Sequence, residues 1–165
     1  MSSFPFQQNL KDLRKFQEDT RESYEGISLT YDPLSSPPLQ FTTNKVKTPE
    51  SLKKQEEYAN RLRIMVLIIL CAIWEEFVKD LKDNDSTKYT SKFIKGKYYE
   101  IQFNDDIKEV FLIRNCFVHN GGKADDKYRL YSLQKIYPLD TLIVLNDSDI
   151  NNYFNLLESN YKLIV

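Results

Sequence analysis

The stretch Ile64-Met65-Val66-Leu67-Ile68-Ile69-Leu70-Cys71-Ala72-Ile73-Trp74 runs eleven residues without a polar side chain, between Arg61 and Arg63 on one side and Glu75 and Glu76 on the other. A membrane-spanning helix needs about twenty such residues, so the run is too short to span and reads as a core helix. Upstream, Thr48-Pro49-Glu50 spells a helix start: a capping Thr, Pro at the first helical position and an acid in the first turn. Nothing breaks the pattern from there to about Leu81. The sequence therefore predicts one long helix, polar in its first half. From Ile64 to Val78 it is apolar nearly all round, which predicts burial on several sides.

The rest of the chain arranges itself around that helix. Residues 7 to 25 carry Leu10, Leu13, Phe16 and Tyr24 among charges, the spacing of an amphipathic helix that stops at Gly26. Asp32-Pro33-Leu34-Ser35-Ser36-Pro37-Pro38 forbids regular structure, so residues 27–47 read as a Pro-rich surface loop. Residues 86–103 are ambiguous between a hairpin and a short helix; Lys88, Lys92, Lys95 and Lys97 interleave there with Tyr89, Phe93, Tyr98 and Tyr99. That mix suits RNA, as cations for phosphate and rings for bases, and equally suits aromatics packed on a bundle with solvated lysines. Asn104-Asp105-Asp106 caps a helix from Asp105 to about Asn120 that Gly121-Gly122 ends. Residues 140–145 suggest a short extended segment, and Asp147-Ser148-Asp149 caps a last helix to about Leu163. The expected fold is all-α, a single domain over 1–165: an up-and-down bundle of four to five helices with a long central one.

Composition sets outer limits. Of 165 residues, 41% are hydrophobic and 28% charged, enough to bury a core without disulfides. The 10 Phe and 11 Tyr predict an aromatic-rich core. Cys71 and Cys116 both lie in apolar helical stretches and read as buried thiols. With Met1-Ser2-Ser3-Phe4-Pro5 unlike a secretory leader, the expected location is cytoplasmic. A net charge of -1 argues against non-specific coating of nucleic acid and leaves a local RNA site open.

His119 is the single histidine of the chain, in Arg114-Asn115-Cys116-Phe117-Val118-His119-Asn120-Gly121-Gly122. Histidine alone among side chains has an unperturbed pKa, roughly 6.5, that lets it give and take a proton near neutrality. At about 100° per residue, Lys108, Asn115 and His119 fall within about 40° of one another, with Arg114 about 100° from Asn115. A plain structural reading is available: a helix-end histidine favoured by the dipole, and Arg114 paired with an acid on the long helix. The spelling Arg-Asn-x-x-x-His, however, resembles the ribonuclease signature of the HEPN superfamily. Upstream, Ala72-Ile73-Trp74-Glu75-Glu76-Phe77-Val78-Lys79-Asp80-Leu81 resembles the long helix of HEPN proteins of the RiboL-PSP kind, and the likeness covers roughly residues 50 to 163.

The resemblance implies a metal-independent endoribonuclease acting as a homodimer, a toxin or anti-phage effector with an antitoxin or defence-system partner. It implies catalytic roles for Arg114, Asn115 and His119, with RNA as substrate and no cofactor. RNA brings its own nucleophile, the 2′-hydroxyl; cleavage needs a base, an acid for the leaving 5′-oxygen, and positive charge at phosphorus. One His per chain and the one Arg of the motif fall short of that set, which points independently to a composite site between two chains. Glu75 is a candidate partner for Arg114 if it faces the motif helix. The alternative reading is a catalytically inactive HEPN-like module that dimerises or binds a partner. Four glycines exclude a P-loop or dinucleotide fingerprint, and one His with two scattered Cys excludes the usual zinc spacing. The acidic pairs Asp105-Asp106, Asp125-Asp126 and Asp147-Ser148-Asp149 have the chemistry for Mg²⁺, but acids at helix starts more often cap.

Overall fold

A computed structural model describes residues 4–25, 30–31, 39–40, 49–84 and 105–164. The chain is an all-α bundle, and its described residues form five helices: α1 (Phe6–Glu25), α2 (Pro49–Asn84), α3 (Asp105–His119), α4 (Asp126–Tyr131) and α5 (Asp147–Ile164). Thr30–Tyr31 and Leu39–Gln40 pair as two short antiparallel strands, Thr30 opposite Gln40 and Tyr31 opposite Leu39. They lie within the segment expected to be a loop; the rest of 27–47, and all of 86–103, fall outside the described residues.

The 36 residues of α2 span about 54 Å at 1.5 Å per residue, and α1, α3 and α5 all pack against it. Pro49 opens it with Glu50 in the first turn, as expected, and it continues to Asn84, three residues beyond Leu81. Leu62, Val66, Leu67, Leu70, Cys71, Trp74, Phe77, Val78 and Leu81 are buried, a broad face at three- and four-residue spacing. The expectation of burial on several sides is wrong. Met65 is 41% exposed, and Ile68 and Ile69 are each 37% exposed, because they point away from the face that the other helices cover.

In α1 the buried stripe is Phe6, Leu10, Leu13 and Gln17, and Phe16 is exposed. Beginning the helix at Phe6 explains the change. Phe6 stacks on Tyr161 at 4.7 Å between ring centroids, meets Trp74 edge-on at 5.6 Å and Phe77 at 4.8 Å. This aromatic cluster ties α1, α2 and α5 together, the use the Phe and Tyr content anticipated.

Of the acidic groups, Asp125 and Asp149 accept backbone amides at helix starts, whereas Asp147 pairs with Arg63. The Asp125 carboxylate accepts the Tyr128 amide at 2.7 Å and starts α4, a helix the sequence reading missed. At α5 the cap is Asn146, one residue ahead of the expected position: its Oδ1 accepts the Asp149 amide while Asp149 Oδ2 accepts the Asn146 amide. Asp147 is thereby free to meet Arg63, whose Nε donates to Asp147 Oδ1 at 2.9 Å and whose Nη1 donates to Glu56 at 2.8 Å. The expected extended segment begins one residue late: Asp140 closes a turn at a φ of 60°, and residues 141–145 run on from it. Ile143 and Leu145 point inward, Leu142 and Val144 outward, and a single bridge joins Leu142 to Lys123.

Candidate functional site

Helix α3 carries Arg114, Asn115 and His119. Asp105 and Asp106 in its first turn suit the positive end of the dipole, and His119 is its last residue. Ile107, Glu109, Val110, Phe111, Leu112, Ile113 and Cys116 are buried, so the helix is anchored on most of its circumference. Arg114 and Asn115 are half-buried, and His119 is exposed.

Arg114 turns toward α2. Its Nη2 donates to Glu75 Oε1, and its Cζ lies 5.2 Å from the centroid of the Phe111 ring. Its Nε is buried without a hydrogen-bond partner. The Cys71 thiol, wholly buried one turn before Glu75, lies beside the same guanidinium. Burial pushes the thiol up to about 12, and the nearby Arg114 charge only partly offsets that. Glu75 thus takes the role its position on the long helix suggested. Cys71 was read only as a buried thiol; its i, i+4 spacing from Glu75 was the signal that it shares the Arg114 side of α2.

Asn115 and His119 point elsewhere. No hydrogen bond joins His119 to Arg114, and among the described residues the side chains of Asn115 and His119 find no hydrogen-bond partner. The helix ends just after His119: the Cys116 carbonyl accepts the amides of Asn120 and Gly122 at 2.9 and 3.0 Å. Gly121 and Gly122 then adopt positive φ, 59° and 82°, conformations that suit glycine and swing the chain back toward Leu142 and Ile143. The turn leaves the imidazole at an open helix end.

Two cavities lie away from Arg114, Asn115 and His119. One lies between α1, α2 and the start of α5, around Arg63 and Asp147; another lies against the opposite side of α3, around Glu109. Among the described residues, no three His, Cys, Asp or Glu converge as a metal set, and no helix is long and apolar enough to cross a membrane. Comparison of the chain with family models, with curated proteins and with solved structures finds no match.

Proposed function

We propose that the chain is an HEPN-type endoribonuclease that cleaves RNA without a metal, in a site shared by two copies. The observation that carries this reading is the division of labour on α3. Arg114 is half-buried and fixed by Glu75 and Phe111, while the sole histidine stands unpaired and open to solvent five residues later. In this mechanism His119 takes the proton of the 2′-hydroxyl as that oxygen attacks phosphorus. The His119 of the second copy, protonated, gives a proton to the departing 5′-oxygen. Arg114 neutralises charge on the phosphorane, its fork held ready by Glu75, and Asn115 orients the phosphate or the imidazole.

A second copy is required because one chain offers one acid/base group. The exposed apolar face of α2, formed by Met65, Ile68 and Ile69 together with exposed Ala72, supplies a surface for it. That face sits on the helix that carries Glu75, which brings a dimer seam close to the Arg114 pair. Within this reading the protein is a toxin or anti-phage effector in the cytoplasm, held in check by an antitoxin or defence-system partner.

The second reading, a helical module that binds a partner without catalysis, has an observation of its own. Arg114 is already neutralised by Glu75 and is not joined to His119. The deciding experiment incubates purified protein with RNA in excess EDTA. Cleavage by wild type and none by His119→Ala is the expected result. Activity that disappears with EDTA and returns with Mg²⁺ removes the acid/base mechanism, and no cleavage under either condition favours the binding module.

A further inference from the structure

The cavity between α1, α2 and the start of α5 measures about 210 Å³. Drug-sized sites begin at about 300 Å³, so this one suits a single flat ring system. Gln17 of α1 lines it and is only 9% exposed. Among the described residues the Gln17 amide has no hydrogen-bond partner. A carboxamide sets an acceptor oxygen beside an NH₂ donor in one plane, and a buried one left unpaired is uncommon. The group is not sealed inside the protein, as Asn60 Oδ1 is; what surface it keeps opens into the cavity that it lines.

The remaining walls restrict what that amide can meet. Leu52, Ala59 and Leu62 form an apolar side along α2. The charges of the lining cancel, Arg21 and Arg63 against Glu56 and Asp147, and Arg63 already donates to both carboxylates. A charged group entering the interior finds no excess of the opposite sign, whereas a neutral one with apolar faces and a donor–acceptor edge fits every wall. Adenine has that form. Its faces are apolar, and its edges set an amine donor beside a ring-nitrogen acceptor, the complement of a glutamine amide. Exposed Arg21 at the mouth suits the phosphate that accompanies the base in a nucleotide. We propose that this cavity binds an adenine base, paired edge to edge with Gln17 and seated against Leu52, Ala59 and Leu62. Arg63 and Glu75 stand twelve residues apart on α2, about 18 Å along its axis. The site uses neither Arg114 nor His119, so it stands or falls separately from the ribonuclease reading.

The test is calorimetric titration of the full chain with two probes, adenosine monophosphate and a 2′-O-methyl oligoadenylate, which lacks the hydroxyl that cleavage needs. Saturable binding of at least one is expected. Binding of the monophosphate marks a free-nucleotide site, and binding of the oligomer alone marks a base held within RNA. Replacing adenine by unsubstituted purine in the probe that binds removes the amine donor and should weaken it about tenfold. Gln17→Met, which keeps the side-chain length and removes both polar atoms, should weaken it at least about tenfold. Ala59→Phe, which fills the cavity from α2, should block binding with Gln17 intact, and it decides the matter if Gln17→Met does not fold. No saturable heat with either probe overturns the proposal. So does equal affinity for the purine probe, or affinity unchanged by Gln17→Met (by Ala59→Phe where Gln17→Met is unfolded).

Discussion

Arg114 is held on three sides, by the Glu75 carboxylate, the Cys71 thiol and the face of Phe111, and in the proposed ribonuclease this confinement holds it in place for the scissile phosphate. Replacing it by Ala should lower RNA cleavage by on the order of 10² or more. The fold should lose only on the order of 1 kcal/mol, since Glu75 keeps 36% of its side chain in solvent and rehydrates. Matched circular-dichroism melts and cleavage rates check both halves; a variant that unfolds outright would make Arg114 a structural residue. A second residue-scale prediction concerns Asp147. The hydrogen bond and charge of Arg63 hold its carboxyl below the ordinary value of 3.8. A carboxylate whose folded pKa is depressed stabilises the fold above its unfolded pKa, and that contribution fades as pH falls through the folded value. Asp147→Asn should therefore melt below wild type at pH 7, by less than about 1 kcal/mol given its exposure. The gap should hold down to about pH 5 and close below about pH 4. A gap that widens in acid would contradict the assignment.

Where helix α3 stops determines where His119 stands. A Cβ built on Gly122 would lie 2.8 Å from Phe117 Cε1, at a φ of 82°, whereas one on Gly121 meets nothing within 4 Å. Both substitutions carry the left-handed backbone penalty of about 1–2 kcal/mol, and only the second position adds a ring that must move. Gly122→Ala should destabilise by about 1–3 kcal/mol, and clearly more than Gly121→Ala, in denaturant unfolding. Because Phe117 precedes His119 by two residues, Gly122→Ala should also reduce cleavage more than Gly121→Ala does. Equal effects at the two positions would show that the ring does not set this helix end. The caps at α4 and α5 follow the same logic of local satisfaction. Asp125 and Asn146 accept backbone amides and Asp149 accepts the Asn146 amide, while Asp147 is held by Arg63.

At the scale of the molecule, α2 is covered by α1, α3 and α5 on one face and leaves Met65, Ile68 and Ile69 in solvent on the other. Burying such a face against its equivalent in a second copy stabilises an association by roughly 25 cal/mol for each Å² of apolar surface removed from water. Ile69→Lys places a charge in that seam while remaining acceptable on a monomer surface. Wild type should sediment as a dimer at micromolar concentration and Ile69→Lys as a folded monomer without cleavage activity. A fully active Ile69→Lys monomer would refute the shared site. Mixing His119→Ala chains into wild type should lower activity beyond simple dilution, since each mixed dimer has lost one of its two imidazoles.

The four longer helices were legible in the chain because helix formation is decided locally; the six-residue α4 was too short to show a period. Pro49-Glu50, the apolar run from Ile64, Asp105-Asp106 and Gly121-Gly122 announce their elements through caps, dihedral limits and 3.6-residue periodicity, all within a few residues. The pairing of Glu75 with Arg114 was legible as a possibility, since an arginine on an apolar helix needs an acid and the long helix offered one. Other features were not legible. Phe6 as the anchor of the aromatic cluster, Asp147 as the mate of Arg63, the exposure of Met65, Ile68 and Ile69, and the bond from Ser132 to buried Glu109 all depend on which faces of different helices meet. Such contacts join residues up to 155 positions apart, as Phe6 and Tyr161 are. A hydrophobic pattern states that a face is apolar; only the packed arrangement of neighbours decides whether that face is covered, because burial belongs to the space between elements and not to any one of them.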